Sequence, residues 1–71
     1  INVYPNPTNG LLNITSSENI NAISICNIIG KQVLNTENKR AINISSLEDG
    51  IYFINITTEK GIYTERIILE K

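Results

Sequence analysis

The sequence predicts an all-β domain, a β-sandwich of seven short strands. Apolar and polar residues alternate over short stretches, as they do in strands that bury one face. These stretches recur roughly every 8–12 residues and are separated by Asn, Asp, Pro and Gly, a spacing typical of sandwiches. None of the 71 residues lies in a sustained 3.6-residue apolar period, so no helix is predicted.

The first three predicted strands are separated by turn residues. Asn2–Tyr4 stops at Pro5-Asn6-Pro7, because proline cannot donate to a strand ladder. Leu11–Thr15 follows the Asn9-Gly10 turn. In the third strand, Asn21–Asn27, two isoleucines share one face and smaller side chains occupy the other.

The next two predicted strands are short. Gln32–Asn35 follows Gly30, which interrupts the apolar pattern. Ala41–Ile44 alternates two isoleucines with an asparagine, as a half-buried strand does. The polar run 37–40 between these strands is predicted to be an exposed loop.

The last two predicted strands are the longest. Ile51–Thr58 alternates regularly and follows the Asp49-Gly50 turn, and Ile62–Leu69 closes the sequence. Lys60-Gly61 lies between them and places Gly where a tight turn needs positive φ. We therefore expect a β-hairpin here.

Tyr52 narrows the predicted sandwich to an immunoglobulin-like one. It comes at the start of the sixth strand, directly after Leu47-Glu48-Asp49-Gly50 and Ile51. Immunoglobulin-like domains carry a tyrosine corner at such a position, where the phenol bonds to upstream backbone. An ordinary strand tyrosine is the alternative.

Composition excludes several classes of function. The chain holds 6 Lys+Arg against 7 Asp+Glu, a net charge of −1, so no basic patch for nucleic acid is expected. Its longest strictly apolar runs are pairs and triplets, far below the roughly 20 residues of a membrane helix. At 71 residues the core is small, and we expect one domain over residues 1–71.

The residues for catalysis are also missing. The sequence has no His and one Cys, which excludes a Ser-His or Cys-His pair and an internal disulfide. The adjacent carboxylates Glu48 and Asp49 are expected to be hydrated turn residues. Cys26 is expected to be a small, half-buried apolar residue. We predict no enzyme activity, no metal, no cofactor and no small-molecule substrate.

Four blocks of the chain together resemble a known family. Tyr4-Pro5-Asn6-Pro7-Thr8-Asn9-Gly10 is similar to the Y-P-N-P-x-x-G opening of the C-terminal sorting domain (type A) of the type IX secretion system. Ile23–Val33 resembles its central strand-Gly-Lys-strand block, and Leu47–Ile54 its L-x-x-G-x-Y-F block. Arg66–Lys71 resembles its apolar last strand. Cys26, in place of an aromatic, and the acidic Glu70 depart from the family pattern.

The resemblance implies a non-enzymatic secretion signal with an immunoglobulin-like fold. Such a domain lies at the C-terminus of a larger secreted protein, behind an N-terminally attached cargo. The outer-membrane translocon of Bacteroidota-type bacteria would recognise it, and a sortase would commonly remove it by cleavage upstream of Ile1. The cargo would pass through the periplasm and the outer membrane to the cell surface or medium.

Two segments are predicted to carry the sorting signal. The prolines stiffen the first segment, which lowers its ordering cost on binding; a rigid connector is the alternative. Both faces of the last strand hold apolar residues, so we expect exposed apolar surface near its end, and a solvated Glu70-Lys71 tail. The predicted recognition residues are Tyr4, Pro5, Asn6, Pro7, Arg66, Ile67, Ile68, Leu69 and Lys71, and the predicted structural residues are Gly10, Gly30, Gly50 and Tyr52.

A second function stays open at this point. A structural or adhesive immunoglobulin-like module that binds protein or glycan would show the same strand pattern. Sugar platforms are commonly aromatic, and this chain has only three Tyr and one Phe. What precedes Ile1 would discriminate the two functions, since a secreted cargo favours sorting and tandem modules favour adhesion.

Overall fold

A computed structural model describes residues 1–37 and 39–71 and contains seven strands in two antiparallel sheets. Within these residues there is no helix. The all-β prediction is therefore confirmed. The strands are β1 (Asn2–Tyr4), β2 (Leu11–Thr15), β3 (Ile20–Asn27), β4 (Gln32–Thr36), β5 (Ala41–Asn43), β6 (Gly50–Thr58) and β7 (Gly61–Leu69).

Every predicted strand is present, and no bound differs by more than one residue. Ile44 follows β5 instead of ending it, yet it is fully buried. In the predicted loop 37–40, Glu37, Lys39 and Arg40 are exposed and lie outside the strands, as expected. Asn38 lies outside the described residues.

One sheet has three strands in the order β1-β2-β5, and the other has four in the order β4-β3-β6-β7. β6 and β7 pair over their whole length, from Gly50 opposite Leu69 to Thr58 opposite Gly61. The predicted hairpin is confirmed, with Glu59 and Lys60 as its two turn residues. β7 is thereby the edge strand of the four-stranded sheet.

Both sheets bury residues in a single apolar cluster. The cluster forms because alternate side chains of each strand point to the same face. Tyr52 is its one aromatic member among the described residues. The buried apolar residues are Val3, Leu12, Ile14, Ile20, Ile23, Ile25, Ile42, Ile44, Tyr52, Ile54, Ile56, Ile67 and Leu69.

The strand directions give the molecule two distinct ends. We call the upper end the one that contains the connections 5–10, 28–31 and 44–49 and the residues after β7. The lower end contains Ile1, the connections 16–19 and 59–60, and residues 37, 39 and 40 between β4 and β5. Three of the four sequence blocks noted above thus have their turns at the upper end, where the fourth block ends.

Gly10 is the glycine with the tightest surroundings. Its φ is +134°, and a Cβ there would lie 2.7 Å from the Cβ of Ser45. No other residue fits, because the backbone conformation and the space both exclude a side chain. Because Gly10 has no side chain, the connection 5–10 can lie close to the connection 44–49 at Ser45.

Candidate recognition surface

Asn6 fastens the segment after β1 to the edge of β7. Its Nδ2 donates to the carbonyl of Arg66 at 2.9 Å, and its Oδ1 accepts the N–H of Ile68 at 3.1 Å. Pro5 and Pro7 on either side have no N–H to contribute. The side-chain amide of Asn6 therefore substitutes for the backbone of a neighbouring strand.

Thr8 continues this pairing with its own backbone. Its N–H donates to the carbonyl of Ile68 at 2.8 Å, and its carbonyl accepts the N–H of Glu70 at 2.8 Å. Thr8 and Leu69 form a parallel bridge. Two distant parts of the sequence thus make one continuous surface. We call residues 4–8 together with 66–71 the seam.

The side chain of Thr8 also anchors the turn that follows. It is completely buried, and its hydroxyl donates to the carbonyl of Leu11 at 2.6 Å and accepts the N–H of Gly10 at 3.1 Å. The sequence analysis did not single out Thr8. The available signal is a hydroxyl residue two positions before a turn glycine, which is a common turn arrangement.

The tail after β7 is exposed, as expected, but it is also held by hydrogen bonds. Lys71 donates from its Nζ to the carbonyls of Leu47 (2.7 Å) and Ser45 (3.1 Å). Its N–H lies 3.3 Å from both carboxylate oxygens of Asp49. The connection before β6 therefore holds the last residue in place, although that residue is exposed.

The seam exposes only part of the predicted recognition residues. Ile67 and Leu69 are fully buried, because they lie on the face of β7 that joins the core. Ile68 is half-buried and Arg66 is exposed on the opposite face. Exposed apolar surface was expected near the end of the strand; it lies instead at its start, at Ile62 and Tyr63.

The first segment contributes the most accessible side chains. Tyr4 is 47% exposed, and Pro5 and Pro7 are exposed too. Both prolines follow cis peptide bonds. Asn6 is exposed, but its amide is already bound to β7. The surface that a partner would meet here is a tyrosine ring beside two proline rings.

The predicted structural residues Tyr52, Gly50 and Gly30 lie in or next to the connections of the upper end. The hydroxyl of Tyr52 donates to the carbonyl of Glu48 at 2.6 Å, which is the bond predicted for a tyrosine corner. Gly50 has a φ of +153° at the entrance to β6. Gly30 sits in the β3–β4 turn, which is held by two amides bound to Asn27 Oδ1.

The carboxylates and the cysteine considered for chemistry lie where the sequence analysis expected them. Glu48 and Asp49 are exposed, and Cys26 is half-buried, as expected. Within residues 1–37 and 39–71, no three His, Cys, Asp or Glu side chains are grouped to hold a metal. In the same residues, no helix is long and apolar enough to span a membrane.

A family model matches most of the chain. The model of the family described as "Secretion system C-terminal sorting domain" matches residues 2–70, nearly the whole chain. No curated protein matches at a significant level. The matched range includes both segments of the seam up to Glu70.

Proposed function

The chain belongs to the family of secretion system C-terminal sorting domains, and on that premise we propose that the seam is the surface recognised by the type IX machinery. As a member, the chain is a C-terminal sorting signal for type IX secretion, and the family is not a catalytic one. The signal implies a cargo on its N-terminal side, secreted to the cell surface or medium. An adhesive module is not favoured.

The observation that carries the proposal is the joining of the two predicted segments. Tyr4–Pro7 and Arg66–Lys71 are about 60 residues apart in sequence but share hydrogen bonds through Asn6. A receptor that contacts Tyr4, the two prolines and Arg66 therefore reads one rigid surface. Rigid surfaces lose little entropy on binding.

Burial divides the predicted recognition residues into two roles. Tyr4, Pro5, Pro7, Arg66 and Lys71 are exposed and offer direct contacts. Asn6, Ile67, Ile68 and Leu69 hold the surface in shape. The side chain of Asn6 bonds to β7, the backbone of Ile68 bonds to Asn6 and Thr8, and Ile67 and Leu69 pack in the core. The structural residues Gly10, Gly30, Gly50 and Tyr52 keep the upper-end turns in place.

The route and the partners are proposed from the family, and the arrangement of the chain is compatible with them. Ile1 lies at the lower end, so a cargo on the N-terminal side of the chain is connected through the end opposite the seam. We assign recognition to the outer-membrane translocon, after transit through the periplasm, and cleavage upstream of Ile1 to a sortase. Residues 1–71 would then act as a single domain.

The strand order favours an immunoglobulin-like assignment of the fold. The first, second and fifth strands share one sheet, and the third, fourth, sixth and seventh share the other. The bond of Tyr52 at the start of β6 supports the same assignment. A solved structure compared with immunoglobulin-like domains tests it.

Export of a reporter tests the function. The chain is fused behind a secreted reporter in a type IX-competent host, and reporter in the medium or on the surface is compared with reporter left in the periplasm. We expect Tyr4→Ala and Arg66→Ala to reduce export about tenfold, the loss of roughly 1.4 kcal/mol of binding. Their melting temperatures should stay near that of the parent domain, because both side chains are exposed.

Two exposed residues of the β3–β4 turn provide matched controls. Ile29→Ala and Lys31→Ala remove an apolar and a basic side chain outside the seam. Export should be unchanged in both. If all four variants export equally, the seam is not the recognition surface. If the parent fusion stays in the periplasm, the chain does not sort this cargo.

A further inference from the structure

β7 is the one long regular edge among the described strands. β1 and β5, the edges of the first sheet, have three residues each. β4, the other edge of the second sheet, has five residues beside a register shift at Ile25/Cys26. Short or irregular edges resist pairing with another chain. β7 has nine residues and pairs without a shift.

The seam covers only the upper half of that edge. Ile68 directs its N–H and carbonyl outward to Asn6 and Thr8. Backbone groups of a strand alternate in direction, so Arg66, Thr64 and Ile62 also direct theirs outward. The carbonyl of Arg66 is bound by Asn6, and the covering segment ends there.

The lower half of the edge is left open. The N–H and carbonyl groups of Ile62 and Thr64, and the N–H of Arg66, have no hydrogen-bond partner among residues 1–37 and 39–71. The side chains of residues 62–64 are uncharged and suited to strands. Ile62 is 68% exposed and Tyr63 is 44% exposed. Charges, which usually protect an edge, occur only at Glu65 and Arg66, next to the covered half.

A cavity of about 120 Å³ opens beside this stretch. Its lining comes from β7, from Ile56 of β6 and from the start of the chain: Ile1, Val3, Ile56, Tyr63, Thr64 and Glu65. The cavity therefore separates the edge of β7 from the edge of β1. It has room for one aliphatic side chain, which a strand pairing with β7 would direct inward at every second residue.

We propose that the open half of β7, Ile62–Arg66, is a docking strand for an extended segment of the type IX component that recognises the seam. The segment would pair through the outward backbone groups, in line with Asn6–Thr8, and place an apolar side chain in the cavity. The upper half of the edge already accepts such a segment from its own chain. This inference rests on the proposed function and adds the backbone as a recognition element.

Hydrogen exchange gives a signature that only strand addition produces. The chain fused behind a reporter is mixed with a detergent extract of outer membranes from a type IX-competent bacterium. Exchange at the amides of Ile62, Thr64 and Arg66 should slow about tenfold or more, while Tyr63 and Glu65, already bonded to β6, change little. An extract from a strain without the system is the control.

Thr64→Pro tests the same idea in export, with Thr64→Val as the matched variant. Both remove the hydroxyl that donates to Asn55, but only proline removes the outward N–H and blocks an incoming strand. We expect Thr64→Pro to export about tenfold less reporter than Thr64→Val. If the proline variant does not fold, Ile62→Pro against Ile62→Ala repeats the comparison at the start of the strand.

Three outcomes overturn the inference. The first is equal export by the folded proline variant and its control. The second is unchanged exchange at the outward amides while the extract binds. The third is slowed exchange without extract that disappears on dilution, which would show pairing with a second copy instead. In each, normal export by the parent fusion leaves the proposed sorting function intact, whereas a parent that is not exported contradicts that function itself.

Discussion

The two halves of β7 have the same alternating pattern but different surroundings. In the upper half, Ile67 and Leu69 are fully buried. In the lower half, Tyr63 and Glu65 lie on the same face of the strand, yet both are exposed. Residues 6–8 pair with the upper half only, and a cavity lies beside the lower half.

This comparison shows how an edge strand can be stabilised and accessible at once. The upper half is fixed by a side-chain amide, a parallel bridge and the tail contacts of Lys71. The outward backbone groups of the lower half have no partner among residues 1–37 and 39–71 and can pair with another chain. Matched substitutions in the two halves separate fold-stabilising residues from accessible ones.

Truncation of a buried side chain should give the largest difference between the halves. Leu69→Ala removes fully buried apolar volume and should lower the free energy of unfolding by about 2–5 kcal/mol. Ile62→Thr, on the exposed half, should change it by less than about 0.5 kcal/mol. Chemical denaturation measures both, and similar losses would mean that the halves are equally buried.

The second-largest difference in stability is expected between substitutions of Thr8, beside the upper half of β7, and Thr64, in the lower half. Thr8→Val leaves the buried N–H of Gly10 without its partner, so we expect a loss of about 1–3 kcal/mol. Thr64→Val removes an exposed hydroxyl bond and should cost well under about 1 kcal/mol. Denaturant midpoints check this pair. A Thr8 variant as stable as the Thr64 variant would contradict an anchoring role.

The two tyrosines that lie on the core-facing side of the β6–β7 hairpin offer a third comparison. Tyr52→Phe removes the donor to the Glu48 carbonyl and should cost about 1–2 kcal/mol. Tyr63→Phe should be nearly neutral, because its hydroxyl has no hydrogen-bond partner among the described residues. Thermal unfolding of both variants measures the difference. A Tyr52 variant that loses only a few tenths would show that the corner bond adds little.

Substitution of Asn6 tests the hydrogen bonds that join residues 4–8 to β7. Asn6→Ala removes two exposed hydrogen bonds and should cost about 1 kcal/mol. Asn2→Ala, an exposed asparagine on β1, is the control and should be nearly neutral. Exchange at the amide of Ile68 should become faster only in the first variant. No change there would mean that Thr8 alone holds the upper half.

The smallest expected effect is at the tail. Lys71→Ala removes two exposed side-chain bonds to carbonyls and should cost less than about 1 kcal/mol. If Lys71 contacts the translocon, the same variant should export clearly less reporter than Lys31→Ala. Equal export would restrict Lys71 to fastening the tail.

Local patterns determined most of the fold from sequence alone. Strand alternation located all seven strands, and Lys60-Gly61 located the hairpin. Tyr52 could be assigned its bond because the corner depends on residues only a few positions apart. The four blocks also identified the family, which the match over residues 2–70 confirms.

The tertiary structure decided how those elements are used. Alternation shows that β7 has two faces, but it does not show which part another segment covers. Asn6, Thr8 and Lys71 act through contacts with residues that are distant in sequence, so their partners depend on which edges and ends meet. Buried anchors, the fastened tail and the open edge are therefore properties of the assembled sheets, because long-range pairing leaves no periodic signal in the chain.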